Sequence, residues 1–138
     1  MCRSRATYTK IIYEGDVAMP YMRVSLTKKL AQDQQEELAA GLGNALSIIP
    51  GKDGRGLIVD MEDDKTMFVG GVKQENMAFV DVRYYSNFSY QIRKDFTVAV
   101  FETINRILGT SKDRMFLTIS EYNSWGGFGD FKDEYYSD

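Results

Sequence analysis

The chain has 138 residues, 43% of them apolar and 27% charged, which fits one globular core and indicates neither a disordered chain nor a coiled coil. Its net charge of -3 arises from 17 basic against 20 acidic side chains with no basic stripe, so nucleic acid is not expected as a partner. With no histidine and one cysteine, Cys2, the chain cannot form an internal disulfide, a protein-built zinc site, a Cys–His dyad or a Ser–His–Asp triad, and no cofactor is expected.

Residues 1–18 read differently from the rest. They combine scattered basic and polar side chains with a β-like piece, Thr7–Tyr13, and then Glu14-Gly15-Asp16. One reading is an extra edge strand. The other, preferred here, is a mis-assigned start: Glu-Gly is encoded by GAR-GGN, which resembles a bacterial ribosome-binding site, at a suitable distance before the Met19 codon. The domain then spans 19–138, and removal of Met19 leaves Pro20 at the chain start. This matters because a chain without histidine needs another general base near neutral pH. A terminal proline is a secondary amine that a dry pocket can bring toward neutral pKa, whereas an internal Pro20 is an amide with no basic nitrogen. Pro20 also has a plain reading as a strand-initiating residue. The start lacks the hydrophobic centre of a signal peptide and no apolar run reaches bilayer length. A cytoplasmic protein without a membrane partner is expected, and export would need another route.

From Pro20 onward the pattern is β-α-β twice. Tyr21–Leu26 alternates, with Met22, Val24 and Leu26 on one side. Asp33 followed by Glu36 resembles a capping box. Leu38, Leu42, Ala45, Leu46 and Ile49 form a helical stripe that Pro50-Gly51 stops. Leu57–Met61 reads as a strand, and Thr66–Val69 as a short one that Gly70-Gly71 turns back. Met77–Tyr85 is the strongest strand. A second helix carries Ile92, Phe96, Ala99, Val100, Ile104 and Leu108 inward and ends at Gly109. Met115–Ser120 is the last strand, followed by Trp125-Gly126-Gly127-Phe128 as a lid or intersubunit strand and Asp133–Asp138 as a frayed acidic end.

Two helices on one four-stranded mixed sheet make a two-layer α+β sandwich. On Met77–Tyr85, Ala78, Val80 and Val82 suit the helix layer, while Phe79, Asp81 and Arg83 share the opposite face with Asp60, Thr118 and Arg23. That mixture suggests self-association around a wet lumen, against the alternative of an ordinary exposed face in a monomer. Gly51-Lys52-Asp53-Gly54 lacks the spacing of a phosphate-binding P-loop. Tyr84, Tyr85, Phe88 and Tyr90 fit an interface or pocket lining better than a nucleic-acid platform, for want of a basic groove. Glu62-Asp63-Asp64 reads as a solvated turn, with a cation site as the sharper alternative.

Met19-Pro20 before a strand, Gly51-Lys52 after the first helix, Phe68-Val69-Gly70-Gly71, Asp113-Arg114 before the last strand, and the Trp125–Gly129 tail together resemble the macrophage migration inhibitory factor family. D-dopachrome tautomerase belongs to the same tautomerase superfamily. The resemblance spans Met19 to about Gly129. It implies a homotrimer whose sheets enclose a barrel, with sites at subunit interfaces and small aromatic α-keto acids as substrates. The implied reaction is keto–enol tautomerisation of phenylpyruvate-like acids or dopachrome analogues. In such enzymes the terminal proline nitrogen moves the proton, and Pro20 matches it. Lys52 matches the lysine that binds the substrate carboxylate or polarises its oxygen. A backbone-donating isoleucine is replaced by Tyr85, the tyrosine wall from a neighbouring subunit by Phe116, and a substrate-anchoring asparagine by Thr118. Met77-Ala78-Phe79-Val80 stands where the family's Cys-x-x-Cys would be, so thiol redox activity is not expected. The family also implies a non-catalytic alternative: a trimeric, cytokine-like binding protein with a protein receptor.

Overall fold

The computed structural model describes residues 18–137, so the expected strand Thr7–Tyr13 lies outside the described residues. Strand β1 (Tyr21–Leu26) leads through helix α1 (Gln32–Leu46) to β2 (Ile58–Glu62). A short hairpin, β3 (Phe68–Val69) and β4 (Val72–Lys73), precedes β5 (Ala78–Tyr85), helix α2 (Tyr90–Leu108) and β6 (Met115–Tyr122). The described chain closes with β7 (Ser124–Gly127) and β8 (Asp130–Asp133). The main sheet has the order β2-β1-β5-β6. β1 runs parallel to β2, β5 parallel to β6, and the two pairs meet through the antiparallel contact of β1 with β5. The expected two-layer sandwich with a four-stranded mixed sheet is therefore present.

The period-2 pattern decides which side of the sheet is covered. Met22, Val24 and Leu26 of β1 and Ala78, Val80, Val82 and Tyr84 of β5 are fully buried against the helices, since a one-residue slip would turn all of them to solvent. They meet Leu38, Leu42, Ala45 and Leu46 of α1 and Phe96, Val100, Ile104 and Leu108 of α2. Ser89 caps α2 by accepting from the Ile92 N–H (3.2 Å), and Gly109 ends it at φ 71°, a left-handed conformation that favours glycine. Gly70 and Gly71, both at positive φ, make the tight β3–β4 turn.

Two expectations need correction. The cap of α1 is not Asp33 with Glu36: Ala31 occupies the N-cap, and its N–H donates to Gln34 Oε1 at 3.1 Å while Asp33 accepts from the Gln34 N–H. The glycine-aromatic tail, expected as a lid or intersubunit strand, forms the β7–β8 hairpin, turned at Phe128-Gly129 with both residues at positive φ. Asp133 is not frayed. It lies in β8, takes the Ser124 hydroxyl, and accepts from the N–H groups of Tyr135 (2.9 Å) and Tyr136 (3.0 Å); the Ser124 bond first, and then these two, hold its carboxyl below the usual carboxylate range. Of Glu62-Asp63-Asp64, expected as a turn, Glu62 is the last residue of β2 and only Asp63-Asp64 leave the strand. Asp63 caps the Leu30 N–H at 2.7 Å and Glu62 pairs with Lys65 at 2.8 Å.

The outer face of the sheet carries a polar and aromatic network. Tyr21 donates to Asp60 (2.6 Å), Arg23 reaches the Tyr21 hydroxyl (3.3 Å), and Arg83 pairs with Asp81 (3.2 Å) while lying over the Tyr21 ring. Thr118 donates to the other oxygen of Asp81, and Phe79 stacks on Phe116 with centroids 6.3 Å apart. Among the described residues no helix is long and apolar enough to cross a membrane.

Candidate active site at the Pro20 end of the sheet

Pro20 is buried, and its carbonyl accepts from the Ile58 N–H at 2.9 Å, extending the β1–β2 ladder by one residue. β1 pairs Met22 with Val82 and Tyr21 with Arg83, so continuing that register sets Pro20 level with Tyr84. Its parity is that of Met22 and Val24, which directs it toward the helix layer.

Lys52 reaches the same place from the segment after α1. Ile49 is fully buried, Gly51 turns the backbone at φ 78°, and the Lys52 N–H donates to the Ile49 carbonyl at 3.1 Å. The Lys52 Nζ stands 5.6 Å from the Tyr84 ring centroid and 5.8 Å from that of Phe88. The two rings meet edge to face at 5.6 Å, so the ammonium lies on an aromatic floor. The continued strand register and the Lys52 ring contact thus point Pro20 and Lys52 to the same residue of β5, Tyr84.

The floor is fixed from below. The Tyr84 hydroxyl donates to Glu121 Oε2 at 2.7 Å, and the same oxygen accepts from the Phe88 N–H at 2.9 Å. Burial, the hydrogen bond to Glu121 and the Glu121 charge push the Tyr84 phenol well above its ordinary pKa, with Arg93 partly opposing them. Neutral Tyr84 is therefore the folded form. Its contribution is complete below the ordinary tyrosine pKa and is lost as pH rises through the elevated one. In an alkaline absorbance titration, one phenol should ionise after the others and together with unfolding. Tyr84→Phe should remove that late step and cost about 1.5–3 kcal/mol in denaturant unfolding, the ordinary value of a hydrogen bond to a charged group.

Tyr85 faces the other side of the sheet. It pairs with Tyr122 across β5–β6 and lies under Lys132 Nζ at 5.0 Å. Desolvation, then the charges of Glu134 and Asp133, raise its phenol pKa. The C-terminal hairpin therefore closes over this end, with Tyr122 against Trp125 edge to face.

Phe116 and Thr118 lie elsewhere. Phe116 pairs with Phe79 at the opposite end of β5, about 20 Å from Tyr85 at the ordinary strand rise, and Thr118 with Asp81, about 13 Å from it, both on the outer face. One protomer thus brings together Pro20, Lys52 and the Tyr84–Tyr85 end of β5, and leaves Phe116 and Thr118 apart. Glu121 was absent from the sequence reading: a lone acid near a strand end carries no signal until Tyr84 and Phe88 are placed beside it.

No family model matches the chain, and no curated protein matches it. Solved structures do. Leishmania major MIF2 superposes with a TM-score of 0.75 over 82% of this chain and 97% of its own, at 18% identity. The chain has the fold of macrophage migration inhibitory factor. Pt0534 inactivated by 2-oxo-3-pentynoate matches at TM-score 0.67 and 13% identity, over 74% of this chain and 85% of that one. A fused 4-OT asymmetric trimer matches at 0.66 and 15%, with the same coverage. The doubled β-α-β fold of this chain is thus shared with these three solved structures.

Proposed function

We propose that the chain is a cofactor-free keto–enol tautomerase of phenylpyruvate-like α-keto acids or dopachrome analogues, active as the product that begins at Pro20. The observation that carries this reading is Lys52 over the ring of Tyr84, the residue with which the continued β1–β5 register aligns Pro20. In the proposed cycle the neutral Pro20 amine takes a proton from the carbon beside the substrate carbonyl. The electron pair of that C–H bond becomes the enolate double bond, and Pro20 then returns the proton to oxygen. Lys52 binds the carboxylate or the developing enolate oxygen, and its positive charge opposes protonation of a nearby amine, which keeps the base free. The Tyr85 N–H is a further donor to the oxyanion. Phe116, as apolar wall, and Thr118, as anchor, come from a neighbouring copy in a homotrimer, since one protomer holds them at the far end of the sheet.

The test has two parts. Intact-mass analysis of protein made from the native gene identifies the first residue. The product beginning at Pro20 is then treated with 2-oxo-3-pentynoate, an alkynyl ketone to which a secondary amine adds by forming an N–C bond and passing its proton to carbon. One adduct per chain on Pro20, with phenylpyruvate enolisation in untreated protein, is expected. Absence of both overturns the proposal. Light scattering should return three times the mass of the single chain, and a monomer would remove Phe116 and Thr118 from the site.

A second reading, a trimeric cytokine-like binding protein with a protein receptor, draws on exposed aromatics at the C-terminal end: Phe128 at 58%, Phe131 at 66%, Tyr135 at 70% and Tyr136 at 81%. A retained segment 1–18 favours it, because an acylated Pro20 accepts no proton.

A further inference from the structure

Helix α1 contains two buried glycines, Gly41 and Gly43, where alanine would be worth about 1 kcal/mol more in helix propensity. Each has a different reason. A Cβ on Gly41 would stand 2.7 Å from Thr103 Cγ2, a side-chain atom on α2. A Cβ on Gly43 would stand 3.0 Å from the Cα of Gly54, and one on Gly54 would stand 2.9 Å from the Cα of Gly43. The second contact is backbone against backbone, reciprocal, and open to no rotamer change.

The segment that Gly54 docks is the one that carries Lys52. At its start the Lys52 N–H is bonded to Ile49, whose side chain is fully buried. After Lys52, Asp53 accepts from the Arg55 N–H (2.9 Å) with its side chain and from the Gly56 N–H (3.1 Å) with its carbonyl, and the Gly54 carbonyl takes the Leu57 N–H. The next residue, Ile58, donates to the Pro20 carbonyl. The Gly43–Gly54 contact therefore sits between the backbone bond that holds Lys52 and the one that holds Pro20.

We propose that Gly43 and Gly54 are positioning residues for Lys52, their backbone contact setting the ammonium on the Tyr84–Phe88 floor and its offset from Pro20. A methyl group at either position forces the segment outward by about 0.5–1 Å to restore ordinary carbon–carbon separation. Misplacement of that size at a site can cost about 10²-fold in rate. The consequence for substrate rests on the assignment of Lys52 above; the placement of Lys52 does not.

The test reads the two separately. In the full chain, the Lys52 ε-methylene protons, assigned from the Lys52→Met spectrum, should be shifted upfield by the two rings. Gly43→Ala, and independently Gly54→Ala, should reduce that shift by half or more. Gly41→Ala, which strains α1 against Thr103, should lower stability and leave the shift in place. In the product beginning at Pro20, both loop-contact variants should raise KM for phenylpyruvate at least tenfold, with a smaller change in kcat. An unmoved Lys52 signal in both variants overturns the proposal, whatever the kinetics. A moved signal in proteins that show no tautomerisation leaves the positioning intact and removes the enzymatic reading. If Gly43→Ala does not fold, Gly54→Ala presents the same clash from the loop side.

Discussion

Pro20→Gly, in a protein that starts at residue 20, is expected to lower phenylpyruvate tautomerisation by about 10²–10⁴, the usual contribution of a positioned general base. Glycine keeps a terminal nitrogen but loses the ring that fixes its direction and fills the buried niche. It replaces a stiff secondary amine by a mobile primary one. The fold should survive. The Pro20 contribution to the sheet is its carbonyl, bonded to the Ile58 N–H, and glycine supplies the same carbonyl. Loss of the small buried ring should cost about 1–2 kcal/mol in denaturant unfolding. The informative comparison is the same substitution in the 138-residue chain. There the Pro20 nitrogen is an amide, baseline turnover should be near background, and Pro20→Gly should change nothing. Equal activity of the two Pro20-containing proteins would mean that the proton is moved by another group. Unchanged activity in the shortened Pro20→Gly protein would mean that the ring-held secondary amine is not required.

Parts of this architecture are legible in the sequence because they rest on binary choices. In Tyr21–Leu26 and Ala78–Tyr85 each residue is either inside or outside, and the alternation of apolar with polar side chains leaves one consistent assignment. The end of α2 is equally clear, since a glycine after the last apolar position of a helical stripe has a specific backbone use. The start of α1 was misplaced for a related reason. Asp33 and Glu36 have the right types and spacing, yet Ala31 and Gln34 make the bond, and the difference is one of side-chain reach that composition does not encode. The β7–β8 hairpin was hidden because Gly126, Gly127 and Gly129 lower strand propensity around aromatics.

The site is less legible than the fold. Pro20 and Lys52 were distinguishable only through the order and spacing of several weak motifs. What joins them, the Tyr84 ring, follows from strand register together with the path of the segment after α1. The Glu121 carboxylate serves that ring from a strand that is remote in sequence. The Gly43–Gly54 contact is hidden in the same way: two glycines in ordinary contexts acquire a role only when a helix and a turn are superposed. Phe116 and Thr118 mark a different boundary. Their proposed role depends on a second copy, and nothing in one chain brings them to Pro20.

Lys52→Met separates charge from packing at the other half of the site. Methionine keeps most of the apolar stem that lies on Tyr84 and Phe88 and removes the ammonium, so the melting temperature should change little. In the product beginning at Pro20, kcat/KM should fall by about 10²–10³, the scale of losing one preorganised electrostatic donor to a developing oxyanion. KM should rise as the carboxylate loses its partner. The pH profile adds a sign that a merely structural role would not produce. A cation near an amine disfavours its protonated form, so removing it raises the amine pKa and the acidic limb of kcat/KM should move to higher pH. Lys52→Arg, which retains the charge at a different reach, should restore the limb while recovering only part of the rate. If the limb stays in place in Lys52→Met while activity falls, Lys52 binds substrate without tuning the base. If activity and limb are both unchanged, the ammonium over the aromatic floor is a structural contact alone.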